Sequence, residues 1–344
     1  MRIFYDEHHA AHAPAVFLNR GQVKPCPELP DRADILLDAV QTAGHDIMTI
    51  ASFGMAPLRA VHDAGYLHYL EHAWSQWEKL PDHSDEIIPN VHPGRNMGER
   101  PKAVVGLAGF YHADCASPIG PGTWDGIQIS ANTALSAAKY VMDHGGGTFA
   151  YALCRPPGHH AYSDMAGGFC FLNNTAIAAQ YCRNHGAERV AVLDVDVHHG
   201  NGTQGIFYSR ADVLTVSLHG DPAHFYPFFA GYAHESGEGE GEQYNLNVPL
   251  RRGTGDDAYL GKLDTALARI RQFAPDVLVL ALGLDASRDD PLAFLRITTR
   301  GFERIGAAVS ALGLPTVLVQ EGGYVSDSLG DNLVAVLRGF EKAR

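Results

Sequence analysis

Arg189-Val-Ala-Val-Leu-Asp-Val-Asp-Val-His-His-Gly-Asn-Gly202 decides how this chain is read. Val190 to Leu193 is an apolar run of β-formers, of the length of a fully buried strand. Two aspartates, two histidines and two glycines come directly after it. Asp194, Asp196 and His198 alternate with valines, so a persisting strand would send all three side chains to one side. A carboxylate and an imidazole two residues apart can take two positions of one zinc ion. Spread through the chain these residues would read as solvated polar groups; packed behind a buried strand they read as a metal site.

Outward from this stretch, strands and helices alternate. Strand-like runs are Ile3–Tyr5, Asp46–Ile50, Thr148–Leu153, Val213–Leu218, Val277–Leu282 and Thr316–Val319. Helical spacing marks Asp31–Thr42, stopped by Gly44, and Tyr66–Leu80, with Trp74 and Trp77. It also marks Thr123–His144, stopped by Gly145-Gly-Gly147, then Asn174–Asn184 and stretches near 256–273, 299–311 and 328–342. Residues 81–121 are rich in Pro, Gly, His and Asn without a clear period, and structureless loops of that length are usually functional or interfacial. Such alternation implies a mostly parallel sheet with helices on both faces. With no internal repeat and no linker, one α/β domain over 1–344 is expected.

The polar clusters all lie just after strands: Arg155-Pro-Pro-Gly-His-His160, the Asp194–His199 stretch, Gly283-Leu-Asp285 and Glu321-Gly-Gly-Tyr324. Carboxyl ends of parallel strands share one edge, where ligands bind, so the four turns are expected to meet in one cleft. Asp285 can then join Asp196 and His198 as a third ligand. Three protein ligands leave zinc a position open, as catalytic sites do. Two anionic ligands acidify a bound water less than three imidazoles would, so a separate base is needed. The tandem His159-His160 supplies candidates, and Tyr324 beside two glycines can offer a phenol to an oxyanion. Together these parts describe amide hydrolysis. Taken singly, His159-His160 reads as a surface pair, Asp285 as a helix cap and Glu321-Gly-Gly-Tyr324 as a turn.

These motifs, with Thr215-Val-Ser-Leu-His219 and Tyr244-Asn-Leu-Asn-Val-Pro249, resemble the zinc-dependent deacetylase family, which includes histone deacetylases and bacterial acetylpolyamine amidohydrolases. The resemblance runs in order over nearly the whole chain. It implies the single-domain arginase/deacetylase fold, with a central eight-stranded parallel sheet flanked by helices. It also implies Asp196, His198 and Asp285 as ligands of one Zn2+, and His160 as general base and acid. His159 becomes its electrostatic partner held by Asp194, and Tyr324 the carbonyl clamp. Phe169 and Tyr226 match residues that wall the substrate tunnel. A structural K+ is implied near Asp194, Asp196, His198, Ser217 and Leu218. Asn201 stands where class I histone deacetylases carry aspartate, as in acetylpolyamine and class II members, and should leave His160 less basic.

Residues from about Leu80 to Pro121 resemble the insertion with which acetylpolyamine amidohydrolases pair subunits and narrow the cleft, which implies a homodimer. The family's polyamine-reading glutamate is replaced by Ala116, with Asp114 nearby, favouring monoacetylated short diamines such as acetylputrescine or acetylcadaverine. An acetyl-lysine peptide deacetylase, a silent binding homologue and a two-metal hydrolase of the arginase kind are the alternatives. Fe(II) or Co(II) suits the same three ligands.

Composition bounds the partners. Net charge is −13, from 39 acidic and 26 basic residues, which suits a cationic substrate and disfavours nucleic acid or an anionic membrane. The acidic run Glu235, Glu238, Glu240, Glu242 reads as a solvated glycine-rich loop. No apolar run of spanning length and no signal-peptide core is present, and five scattered cysteines argue for reduced thiols, so a cytoplasmic enzyme is expected.

Overall fold

The computed structural model describes residues 1–343. Eight strands form one parallel sheet: β1 (Arg2–Phe4), β4 (Asp46–Met48), β5 (Phe149–Ala152), β6 (Val190–Asp194), β7 (Val213–Gly220), β8 (Asn245–Leu250), β9 (Val277–Leu282) and β10 (Thr316–Gln320). Their order is β4-β1-β5-β10-β9-β6-β7-β8, with every neighbouring pair parallel. The sheet is thus the expected single α/β domain. The four strands with chemically loaded turns, β5, β10, β9 and β6, are consecutive in its middle.

The period of 2 sorts the strand residues between two cores. Ala150, Ala152, Val190, Val192, Val277, Val279, Val317 and Val319 face one layer. That layer holds α3 (Ala64–Trp77), α4 (Val104–Phe110), α5 (Thr123–His144) and α6 (Asn174–Asn184). Tyr151, Ala191, Leu193, Leu278, Leu280, Leu282 and Leu318 face the other, made by α1 (Asp31–Thr42), α8 (Asp256–Phe273), α9 (Thr299–Ser310) and α10 (Leu329–Lys342). Short helices α2 (Ala56–Arg59) and α7 (Asn201–Phe207) complete the set. Two of the helix starts beside the site's layer are capped by side chains: Asp63 accepts from the N–H of Gly65 and Tyr66, and Asn173 from that of Ala176.

Three features depart from the sequence reading. A two-stranded hairpin, β2 (Val16–Asn19) and β3 (Gln22–Pro25), has no alternation long enough to betray it. Strand β8 escaped because its Asn-Leu-Asn-Val-Pro pattern is polar on one side and contains proline, which an edge strand tolerates. Residues 81–121 are not structureless: they carry α4, and Ile87 and Ile119 bridge antiparallel to close the segment at its base. Ile87, Val104, Leu107, Tyr111 and Ile119 drop into the core, while Val91, Met97 and Val105 stay exposed.

Candidate active site

Strand β6 ends at Asp194, and the chain then makes a pair of side-chain-closed turns rather than continuing as strand. Asp194 Oδ1 accepts the N–H of Asp196 (3.0 Å), and Asp196 Oδ1 accepts that of His198 (2.8 Å). Asp194 points to His159, with Oδ2 2.9 Å from its Nδ1. Asp196 and His198 instead meet Asp285 from β9: His198 Nδ1 lies 3.2 Å from Asp196 Oδ1 and 3.1 Å from Asp285 Oδ2. All three residues are at least nine-tenths buried. Donor atoms about 2 Å from one tetrahedral ion sit roughly 3.3 Å apart, which this spacing matches. Burial would lower the His198 imidazole, but hydrogen bonding to Asp196 and Asp285 outweighs it and raises it to about 9. The cradle therefore favours a cation, and its two carboxylates and imidazole fit one divalent metal.

The remaining carboxylate oxygens are fixed by backbone. Asp285 Oδ1 accepts the N–H of Val197 (3.0 Å), so Asp285 ties β9 to β6 and caps no helix. Asp196 Oδ2 accepts the N–H of Gly322 (2.8 Å), bringing the β10 turn over the triad. A Cβ on Gly322 would lie 2.2 Å from Asp285 Oδ2, so only glycine permits this approach.

His159 and His160 are buried, which removes the surface-pair reading. Their rings lie 4.0 Å apart and their environments differ. Asp194 and Asp196 raise His159 to about 10 against the cost of burial. His160 is held well below its ordinary value, by burial first and then by the His159 and His198 charges. Its Nδ1 lies 2.6 Å from Asn201 Oδ1, and Asn201 Nδ2 donates to the Tyr162 hydroxyl, which orients the amide. Nδ1 therefore carries the proton, and Nε2 is the free base. Two adjacent imidazoles with separated pKa values are the pattern of an acid/base pair.

Tyr324 comes directly after Gly323, whose φ is +118°, and its N–H donates to Asp290 Oδ2 (2.8 Å). Burial keeps the phenol well above its ordinary pKa, Arg32 working against it and Asp285 and Asp196 with it, so it remains a donor. Phe169 packs edge-on against Tyr324 at 5.8 Å, and Tyr226 edge-on against His160 at 5.0 Å. These aromatic residues cover the two halves of the site. Phe225 stacks on His198 at 4.7 Å. Asp114 reaches the same place but is engaged internally, accepting from the Tyr226 hydroxyl and from the N–H groups of Gly168 and Ala116. Ala116 packs on the cluster of Phe17, Cys26, Phe169 and Tyr324. Asp194 lies opposite Ser217 in the β6–β7 ladder, with Leu218 next in β7.

Several supporting residues were given no role from the sequence. Glu28 is buried between Arg32 (2.8 Å) and Arg155 (3.0 Å), and Arg32 donates to the carbonyls of Gly323 and Glu321. Nothing in Pro27-Glu28-Leu29-Pro30 distinguishes such a glutamate from a solvated one. Glu321 accepts from Gly158 N, His159 N and the Thr175 hydroxyl. With its oxygens so committed, the neighbouring group His159, Cys170 and Glu321 is a hydrogen-bonded anchor rather than a second metal cradle. Glu235 is likewise no solvated loop residue: it accepts from Gln204, Asn247 and Gly231. An open surface cleft of about 970 Å³, lined by Tyr5, Glu7, Asp34 and Asp125 among others, includes none of the triad. All five cysteines are free thiols. Among the described residues no helix is long and apolar enough to cross a membrane.

Comparison with known proteins bears on this geometry. The histone deacetylase domain profile matches residues 26–340. Acetylpolyamine amidohydrolase 1 of Pseudomonas aeruginosa is 46% identical, covering 98% of both chains. Histone deacetylase 8 of Arabidopsis thaliana is 39% identical over 77% of this chain and 70% of its own. The crystal structure of acetylpolyamine aminohydrolase from Burkholderia pseudomallei superposes with a TM-score of 0.96 at 45% identity, covering 100% of this chain and 99% of that one.

Proposed function

The chain belongs to the histone deacetylase family and is an amidohydrolase; from that premise we propose that it removes the acetyl group from acetylated polyamines, with monoacetylated short diamines such as acetylputrescine and acetylcadaverine as preferred substrates. The observation that carries the reading is the cradle of Asp196, His198 and Asp285 beside a neutral His160 and a protonated Tyr324. End-to-end similarity to acetylpolyamine amidohydrolases supports the substrate class, since the histone deacetylase relative aligns over a smaller part of the chain.

Zn2+ is the metal assigned to the cradle, and when bound it supplies Lewis acidity to the amide carbonyl and to a water. The chain's own groups do the rest. His160 Nε2 takes the proton from the attacking water while its Nδ1–H stays on Asn201. The Tyr324 phenol donates to the developing oxyanion. His160 then returns the proton to the leaving nitrogen, giving acetate and free amine. His159, held by Asp194, supplies a fixed positive charge that disfavours early protonation of His160. A K+ ion near Asp194, Asp196, His198, Ser217 and Leu218 would brace this floor through its carbonyls. Exposed Val91, Met97 and Val105 support pairing of two chains through 81–121, and the −13 net charge suits a cationic substrate.

The test is turnover of acetylputrescine beside an acetyl-lysine peptide by the zinc-loaded protein. A kcat/KM at least tenfold higher for acetylputrescine is expected; a tenfold preference for the peptide would replace the first substrate class by the second. Sedimentation should give a dimer that Met97→Asp weakens.

A further inference from the structure

We propose that Asp114 and the Tyr226 hydroxyl form a latch that fixes the passage to the metal cradle at the width of a slender alkyl chain. Asp114 sits on the segment 81–121, and its carboxylate holds Tyr226 directly and the backbone of Gly168, the residue before Phe169. Oδ2 accepts the Tyr226 hydroxyl at 2.6 Å, which sets the ring edge-on to His160. The same oxygen accepts the N–H of Gly168 at 3.1 Å, and Oδ1 accepts that of Ala116 at 2.8 Å. Gly168 and Phe169 both have positive φ, +53° and +69°. Phe169 is thus a bulky residue in a backbone region that L side chains avoid, which persists only when its surroundings impose it. The bond from Gly168 to Asp114 is one such imposition.

Space allows no slack at this point. A Cβ on Gly168 would lie 2.4 Å from His160 Cδ2 and 2.9 Å from the Tyr226 hydroxyl. The Gly168 backbone, the Tyr226 hydroxyl and the His160 ring are therefore in mutual contact under one carboxylate. Phe169, on the far side, is wedged between Tyr324 and Phe17 of the β2–β3 hairpin. Tyr226 cannot swing outward without breaking its bond to Asp114, and the backbone that carries Phe169 cannot shift without breaking the bond from Gly168. A phenylalanine at 226 would keep the ring and lose the latch, so the hydroxyl is the element that makes this passage rigid. Asp114 is then a positioning residue, and selectivity for slender substrates arises from its bonds rather than from its charge meeting an ammonium.

This inference rests on the proposed acetyl-amine reading only for its natural substrate, so the test uses acetamides that differ in girth. Tyr226→Phe, Asp114→Asn and the double variant are compared with wild type on N-butylacetamide, on a bulky acetylated aminocoumarin and on the cationic acetylputrescine, with zinc content and Tm recorded. Each single variant is expected to raise the bulky-to-slender ratio of kcat/KM about tenfold, mainly through KM, and the double variant no further. The latch is overturned if Tyr226→Phe leaves that ratio at the wild-type value. It is overturned equally if Asp114→Asn acts alone and impairs only cationic substrates, since Asp114 would then read charge directly. Should wild type turn over acetylputrescine but neither neutral acetamide, the Kd ratio of those two compounds across the same variants judges the latch; failure on acetylputrescine itself sinks the proposed function and leaves the same Kd ratio to judge the latch.

Discussion

Asp196, His198 and Asp285 stand on turns that leave two adjacent buried strands, whereas Phe17, Asp114 and Tyr226 arrive from a hairpin, the 81–121 segment and a loop after β7. The floor of the site is held by backbone N–H groups bonded to its own carboxylates, within a sheet whose register fixes every position. The rim is held by single side-chain bonds between distant segments, such as Tyr226 to Asp114. On the proposed function, the floor determines the reaction, and the rim the molecules admitted to it.

The largest expected effect belongs to the floor. Asp285→Ala removes one proposed metal ligand and the acceptor of Val197 N–H together. Loss of several kcal/mol of transition-state stabilisation, roughly 10³-fold or more in kcat/KM, is expected along with zinc content well below one per chain. Full zinc occupancy with wild-type turnover would remove Asp285 from the site. Next comes Tyr324→Phe, which deletes the proposed donor to the oxyanion and should lower kcat roughly 10²- to 10³-fold with zinc retained. A fall in KM alone, with kcat intact, would contradict that role.

A third prediction probes what joins floor to rim. Glu28 lies between Arg32 and Arg155 with almost no solvent contact, and Arg32 holds the carbonyls of Gly323 and Glu321. Glu28→Gln leaves two buried guanidinium groups facing each other without their counter-charge. A loss of about 3 kcal/mol is expected, read as a shifted denaturation midpoint. An unchanged midpoint would mean that water reaches the cluster.

Legibility in the sequence divides along the same line. The floor is local: a strand of Val and Leu, a polar tip and a glycine are contiguous in Val190–Gly202, and parallel topology then dictates where β9 and β10 deliver Asp285 and Tyr324. Even there, the strand stops at Asp194, and side-chain turns rather than continued alternation bring Asp196 and His198 together. The rim is not local. Asp114 and Tyr226 are 112 residues apart, and neither sequence neighbourhood contains the other's partner. Glu28 gives no sign of burial, because its counter-ions come from α1 and from the turn after β5.

Acid should separate the two regions with the smallest effect of the set. In the floor, carboxylates keep His159 and His198 raised; away from the floor, burial keeps His62 and His112 neutral. His62 is lowered to about 4 by burial, and its Nε2 accepts the N–H of Asn173 at 2.9 Å, a role that protonation abolishes. His112, within 81–121, is lowered to about 3 by burial, then by His92. Their folded pKa values lie below the unfolded value of about 6.5, so the unfolded chain binds more protons between about pH 6.5 and 3. Stability from these two groups is complete above about pH 6.5 and is lost as pH falls through about 4. His62→Gln retains an acceptor for Asn173 without a titrating group. Its Tm should fall less than that of wild type between about pH 7 and 4.5, with a difference worth at most about 3 kcal/mol. Parallel curves for the two proteins would show that His62 does not carry the acid sensitivity.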